Sequence, residues 1–234
     1  MFELKEFLRN KGYNVSNIDE KTIRSDASIL NMILKDNPSR FPYTIFDESA
    51  WTDENIHLYF KNVKNIYSLL NVFRTSKALL MALDCNRFDI LTLFTADLIN
   101  DEVENIYVEK CEQGLINFII STFCSSNILR KLLNKNLLHH ASLIAKNSSI
   151  WTDQCVNLFC QKLDSYQGSL ESVDIMYLSQ LHNNKIIYAL LKNKYYDIVR
   201  YIEKNPSLLE NSSRQLLIDN IDDYFKFKNN IPEF

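Results

Sequence analysis

Glycine is the residue whose scarcity most restricts the folds open to this chain. Only three of the 234 residues are glycine, namely Gly12, Gly114 and Gly168, whereas glycine usually makes up about 7% of a globular protein. Sandwiches, barrels and hairpin-rich folds need turn residues that tolerate positive φ, and glycine supplies most of these. Rossmann and P-loop nucleotide sites need several glycines close together. The composition therefore excludes these β-rich and glycine-loop classes.

Apolar residues recur with the period of an α-helix along most of the chain. Leu91, Phe94 and Leu98 are spaced i, i+3, i+7, and the same spacing recurs within residues 195–202. Alternation with a period of two, which would indicate strands, is hard to find. The pattern predicts an all-α protein built from many short helices that stack as antiparallel pairs.

Polar residues, rather than glycine and proline, mark the expected helix ends. Residues able to cap a helix N-terminus precede the apolar segments, namely Ser25, Thr52, Ser125, Thr152 and Asn211. Asparagine tolerates positive φ better than most residues, so we expect it in the left-handed position after a helix. The candidates for that position are Asn86, Asn134, Asn136 and Asn193.

The chain shows no low-complexity linker, and one segment is the best candidate for an internal boundary. Residues 35–50 include Pro38 and Pro42, which favour an extended crossing. A weaker break lies around Gly168. We therefore predict an N-terminal helical cap over residues 1–45 and one continuous helical body over residues 46–234.

Two segments resemble each other at an offset of 100 residues. They are Trp51–Tyr59, with the sequence WTDENIHLY, and Trp151–Phe159, with the sequence WTDQCVNLF. In each, the threonine can cap a helix and the aspartate lies in its first turn, where the helix dipole favours negative charge. Either the segments are copies of one repeat or the same capping sequence arose twice. The offset corresponds to three units of about 33 residues.

The segment Leu79–Phe94 resembles an ankyrin repeat, in which the first helix carries L-H-x-A and the second begins with an acidic residue and I-V-x-L-L. The residues that fit are Leu79, Ala82, Asn86 in the usual glycine position, Asp89, Ile90, Leu91, Leu93 and Phe94. The sequence LHHA at Leu138–Ala141 matches the first-helix motif, and residues 197–202 resemble a second-helix start. Thr-Pro unit starts and loop glycines are missing. The resemblance implies an ankyrin-like array, with another α-solenoid or an irregular helical domain as alternatives.

The charge balance and the cysteines indicate an ordinary cytosolic protein. The 26 basic and 29 acidic residues leave a net charge of −3, so no basic surface for nucleic acid is expected. The five cysteines include no C-x-x-C pair and are predicted to be buried or half-buried thiols in a reducing compartment. Without a signal peptide or a long apolar run, the sequence predicts a soluble, cytoplasmic protein with no membrane span.

Histidines and cysteines are the candidate catalytic residues, and none forms a recognisable motif. His139 and His140 project about 100° apart on a helix, so the two do not naturally ligate one metal. His57 follows Asp53 by four residues, which is a metal-ligand spacing, although a solvated first turn explains it more simply. The ankyrin resemblance implies that His139 hydrogen-bonds a neighbouring loop. We predict no catalytic residue, no metal and no cofactor, although a Cys–His pair could still form in space.

A tyrosine cluster near the C-terminus is the predicted partner-binding surface. It comprises Tyr195, Tyr196, Arg200 and Tyr201, since tyrosine and arginine are enriched in interface hot spots. Ordinary packing of these tyrosines is the alternative reading.

Stacked helix pairs present extended surfaces for recognition, so the predicted function is a protein–protein interaction module. Abundant asparagine, lysine, isoleucine, tyrosine and phenylalanine reflect AT-rich codons. Such codons are typical of intracellular bacteria and large DNA viruses, which predicts a host-directed virulence effector that acts in the host cytosol. The alternatives are a small helical enzyme that uses a cysteine and a histidine, and a structural subunit of a larger assembly.

Overall fold

The computed structural model describes residues 2–15, 18–36, 38, 42–66, 71–116, 123–204, 206, 210–220 and 223–225, and every regular element in them is helical. This confirms the all-α prediction. The α-helices are α1 (Phe2–Asn10), α2 (Glu20–Ser25), α3 (Ala27–Asp36), α4 (Asp53–Asn62), α5 (Ser76–Asp84), α6 (Asp101–Glu112), α7 (Ser126–Asn134), α8 (Leu138–Leu143), α9 (Asp153–Asp164), α10 (Ser172–Ser179), α11 (Asn184–Lys192), α12 (Val199–Ile202) and α13 (Asn211–Asp219). Short 3₁₀ helices lie between them, at Tyr43–Ile45, Glu48–Ala50, Asn71–Phe73, Phe88–Leu93, Ala96–Leu98, Ile144–Lys146, Ser148–Ile150 and Tyr196–Ile198.

Polar residues cap the helix N-termini, as the sequence predicts at three positions. Thr52, Ser125 and Thr152 each accept a hydrogen bond from the backbone N–H three residues later. The other two candidates are one residue from the true cap. Ser25 is the last residue of α2, and Asp26 accepts from the first turn of α3 instead; Asn211 is the first residue of α13, after Glu210.

Five of the described helices, α1, α5, α6, α7 and α11, end in the same hydrogen-bonded turn. A residue with positive φ follows each helix, and the next N–H donates to the carbonyl five residues earlier, as in a Schellman motif. The positive-φ residues are Gly12, Asn86, Gly114, Asn136 and Lys194. Asparagine therefore replaces glycine in two of these turns.

The predicted asparagine positions are correct at Asn86 and Asn136, with φ of 55° and 58°. Asn134 lies inside α7. Asn193 has a φ of −91°, and the left-handed conformation falls on the next residue, Lys194, with a φ of 62°. The turn is thus present after α11, displaced by one residue from the asparagine.

The chain divides into two compact units, Met1–Tyr107 and Val108–Phe234, and the predicted cap of residues 1–45 lies within the first. In the first unit, α3 packs on α4 and α4 packs on α5. Its core includes an aromatic cluster in which the rings of Trp51 and Phe73 meet edge to face with centroids 4.9 Å apart. Tyr43, Tyr59 and Phe60 complete that cluster.

The second unit has two layers of helices around one apolar core. Helices α7, α9, α11 and α13 pack on one another in that order and form the first layer. Helices α8 and α10 and the 3₁₀ turn Tyr196–Ile198 pack in sequence as the second layer. Buried Leu129, Phe159 and Leu190 of the first layer and Leu138 and Ile175 of the second share the core.

The two similar segments at Trp51 and Trp151 fold in the same way. Each follows a 3₁₀ turn, and the tryptophan has φ and ψ of −87° and 72° in one and −83° and 71° in the other. Each ring lies near the aromatic ring eight residues later, with centroid distances of 5.4 and 5.6 Å. In the described part of the chain, the α-helices from α4 to α9 begin at residues 53, 76, 101, 126, 138 and 153. That the two segments are copies of one repeat stays a prediction.

Candidate functional site

A pair of joined hollows across the first layer of the second unit forms a candidate surface. The first hollow, of about 330 Å³, lies between α7 and α9, and the second, of about 570 Å³, lies between α9, α11 and the start of α13. Asn157 and Gln161 line both hollows and join them. We call this surface the amide groove. Its residues are Arg130, Asn134, Gln154, Asn157, Leu158, Cys160, Gln161, Asp164, Asn184, Lys185, Tyr188, Ala189, Lys192, Glu210 and Ser212.

The helical period of α9 explains why polar side chains form the groove. Gln154, Asn157, Gln161 and Asp164 fall at i, i+3, i+7 and i+10, which places them on one face of the helix. The opposite face, with Cys155, Val156, Phe159 and Leu163, is buried in the core. The amphipathic pattern that anchors the helix thus leaves a row of amides in solvent.

Charges in the groove are balanced, and several are already paired. Lys192 lies 2.6 Å from Asp164, and Lys185 donates to the Asn157 side-chain carbonyl at 3.2 Å. The amide of Asn184 donates to Glu210. Hydrogen bonds from Lys192 and Asn193 lower the pKa of Asp164, so this carboxylate is ionised at neutral pH.

Part of the lining of the second hollow is apolar and contains a thiol. Ala189 is buried, Cys160 is half-buried and the exposed ring of Tyr188 stands beside them. Burial, with a smaller contribution from the nearby Asp164 carboxylate, raises the pKa of the Cys160 thiol. Cys160 is therefore a neutral thiol near pH 7 and adds apolar surface to the lining.

The four residues predicted to bind a partner do not share one exposed surface. Tyr196 is buried, and its ring lies 6.0 Å from that of Tyr224. Tyr195 is half-buried against the core, as is usual for a packing tyrosine. Tyr201 is half-buried, and Arg200 is exposed near Asp197. Partner binding by Tyr195, Tyr196, Arg200 and Tyr201 stays a prediction.

The adjacent histidines join different parts of the second unit. His139 Nδ1 lies 2.8 Å from the carboxylate of Asp174, which is fully buried at the start of α10 and also accepts from the Ser142 hydroxyl and the Glu171 N–H. His140 Nε2 donates to the Ile116 carbonyl at 2.7 Å. The histidine bound to a neighbouring loop backbone is therefore His140, one residue from the position that the ankyrin resemblance implies.

One cysteine and one histidine meet in the first unit. Cys85 Sγ lies 3.7 Å from His57 Nδ1, and it also lies 3.8 Å from the His57 carbonyl. His57 is exposed and Cys85 is half-buried. The sequence separation of 28 residues gave no signal of this pairing, which depends on α4 packing against α5. Within the described residues, no three His, Cys, Asp or Glu side chains converge as metal ligands.

All five cysteines are thiols, two of them buried and three half-buried, as the sequence predicts. Burial also raises the pKa of Cys124.

Among the described helices, none is both long enough and apolar enough to cross a bilayer.

Comparison with known proteins found no matching family model, no matching curated protein and no matching solved structure.

Proposed function

We propose that the second unit is a protein-binding module, built as a degenerate helical repeat, and that its partner binds across the amide groove. The observation that carries the proposal is the pair of joined, open hollows along one layer of packed helices. Ligand sites for small molecules are usually concave pockets that bury most of the ligand. An open trough that crosses several helices suits a macromolecular partner better.

The regular spacing of contacts supports the repeat interpretation. Side-chain hydrogen bonds recur at a nearly constant sequence separation. Asn157 and Lys185 are 28 residues apart, as are Asp164 and Lys192, and Asn184 and Glu210 are 26 apart. Repeat arrays, in which each unit contacts mainly its neighbours, commonly bind partners along one continuous layer. The patches of ankyrin resemblance point to the same class of protein.

Selection from a phage library of random dodecapeptides tests the proposal, with the purified full chain as bait. Enriched peptides would be labelled with a fluorophore and their affinities measured by anisotropy. We expect Asn157→Ala combined with Gln161→Ala to weaken binding about tenfold or more, because two amides make up to four hydrogen bonds at about 0.5–1.5 kcal/mol each. Gln180→Ala is the matched control, since Gln180 is exposed but lies outside the groove.

Protection of Cys160 provides an independent readout. A peptide seated in the second hollow covers this thiol, so its alkylation by N-ethylmaleimide, followed by mass spectrometry, should slow. Cys124 is also half-buried but does not line the groove, and its alkylation should be unchanged. Peptides that bind equally well to the double variant and leave Cys160 unprotected would place the binding surface elsewhere and overturn the proposal.

A second candidate function is a thiol enzyme, which the contact between Cys85 and His57 favours. An imidazole near a thiol can withdraw its proton and create a nucleophile. The test is the pH dependence of Cys85 alkylation by iodoacetamide in the wild type and in His57→Ala. Reaction that persists below pH 7 only in the wild type supports the enzyme, whereas reaction that rises only above about pH 8 in both, as for an ordinary thiol, contradicts it.

The host-directed effector role and the cytoplasmic location rest on composition alone and stay predictions. The structural-subunit alternative has a direct test, because a subunit with an unpartnered face associates as its concentration rises. Sedimentation of the purified chain over a hundredfold range of concentration distinguishes this from a monomeric binding module.

A further inference from the structure

We infer that the amide groove binds an extended peptide segment and holds it mainly by its main chain. The inference rests on the proposed function and specifies the chemistry of the partner. Five carboxamides carry it, namely Asn134, Gln154, Asn157, Gln161 and Asn184.

The charges of the groove argue against a nucleic acid. Three cations, Arg130, Lys185 and Lys192, are offset by the carboxylates of Asp164 and Glu210. Lys192 is paired with Asp164 at 2.6 Å. Phosphate binding needs a surplus of positive charge along the groove, and this surface has almost none.

The amides match the main chain of an extended peptide. Each carboxamide offers two donors and an acceptor, and an extended main chain offers one donor and one acceptor per residue. The side chains of Asn134, Gln154 and Gln161 make no hydrogen bond to the rest of the described chain. Asn157 keeps its amide donors, because Lys185 uses only its carbonyl. A helical partner has no main-chain groups to offer along its length, since its own hydrogen bonds use them.

The spacing of the helices sets the length of the peptide. Packed helices lie about 8–10 Å apart, and an extended chain advances about 3.3 Å per residue, so each helix step spans about three residues. Three steps lead from α7 through α9 and α11 to α13. The segment that contacts the whole groove is therefore about seven to nine residues long.

The apolar lining of the second hollow supplies side-chain selectivity. Cys160, Tyr188 and Ala189 are the apolar part of its lining, beside amides and charged side chains. Successive side chains of an extended peptide point to opposite sides, so one apolar side chain can enter the hollow while its neighbours face solvent. We expect selected peptides to share one apolar position, with variable residues on either side.

Methylation of main-chain nitrogens tests the inference on the best peptide from the dodecapeptide library. Because an extended chain directs alternate N–H groups toward the groove, we expect N-methylation to weaken binding about tenfold at every second position and to have little effect between them. Truncation should reduce the affinity below about seven residues. Gln161→Glu, which keeps the shape but removes the donors, should weaken binding several-fold, whereas Gln180→Glu should not.

Two other outcomes overturn the inference and are distinguishable. Peptides that need apolar residues at i, i+3 or i+4 and i+7, and that lose affinity when a central residue becomes proline, bind as helices. That result would leave the proposed function standing and refute the extended mode. If no peptide is enriched, or if binding ignores the groove variants, the proposed function fails together with the inference.

Discussion

Lys194 is the position where a single substitution should stabilise the second unit. It occupies the left-handed position of the turn after α11, with a φ of 62°. Its N–H donates to the Leu191 carbonyl at 3.0 Å, and the next N–H donates to Leu190 at 3.0 Å. Asn136 holds the equivalent position after α7, with a φ of 58° and the same two hydrogen-bond lengths. The two turns differ mainly in the residue that takes the unfavourable φ.

The expected magnitude follows from that comparison. The left-handed conformation costs an ordinary L-residue about 1–2 kcal/mol, and asparagine is among the few residues that visit it routinely. Lys194→Asn also removes an exposed ion pair with Asp223, at 2.6 Å, and such pairs contribute little to stability. The net gain is therefore about 1 kcal/mol when salt screens the ion pair, and smaller at low salt. The reciprocal substitution, Asn136→Lys, should cost about 1 kcal/mol.

Urea unfolding measured by tryptophan fluorescence provides the assay. The chain has two tryptophans, one in each unit, so Trp151 reports on the second unit in a Trp51→Phe background. With a urea dependence of about 2 kcal/mol per molar, a change of 1 kcal/mol moves the midpoint by about 0.5 M at an unchanged slope. The midpoint should rise for Lys194→Asn and fall for Asn136→Lys.

The two substitutions change the residue at equivalent left-handed positions in opposite directions. If both substitutions lower the midpoint in high salt, then the side chains native to each turn matter more than the backbone conformation, and the assigned cost of positive φ is wrong. If neither moves it, the turns are not formed in the way the structure gives them.

Substitutions at three further residues have expected outcomes. Burial lowers the pKa of His140 below its ordinary 6.5. On acidification, the unfolded chain therefore binds a proton at this residue at a pH where the folded chain still holds it neutral. Stability should be full above about pH 6.5 and fall as the pH drops through the folded value, and His140→Gln should flatten denaturation profiles between pH 7 and 5.5. Asp174→Ala should destabilise the second unit by about 3 kcal/mol in urea titrations, because it leaves buried donors without an acceptor. Asp174→Asn should destabilise it by less. Arg87→Lys should destabilise the first unit by about 2 kcal/mol, as reported by Trp51 fluorescence, because lysine does not reproduce the fork that binds Asp89 and two helix-end carbonyls.

Local rules predicted those parts of the fold that depend on few neighbours. Thr52, Ser125 and Thr152 cap helices because each is the polar residue before an amphipathic segment. The positive φ at Lys194 escaped prediction because lysine has no intrinsic preference for it. The turn there is recognised by the hydrogen bonds to the Leu190 and Leu191 carbonyls, which a single sequence does not display.

The candidate site was less predictable, because it consists of residues that are individually ordinary. Exposed amides such as Gln154 and Gln161 are unremarkable until α7, α9 and α11 are placed side by side. Tyr196 is the opposite case, because tyrosine is a residue type typical of interfaces but this one is buried. It begins a 3₁₀ turn rather than continuing an α-helical face, and this turn directs its ring inward. A residue's type carries information about a surface only when its helical register is known.

The scarcity of glycine has a structural consequence beyond the folds that it excludes. Helix α4 is followed by an extended residue, Val63, rather than a left-handed one, so its last carbonyls need other donors. In the first unit, side chains of later elements bind such carbonyls: Asn62 binds the Leu34 carbonyl of α3, and the Arg87 guanidinium binds the Phe60 carbonyl of α4. The donors lie 28 and 27 residues after their acceptors, about one helix-to-helix step. Helix termination and helix stacking therefore depend on the same hydrogen bonds, so loss of Arg87 should fray α4 and loosen its packing together.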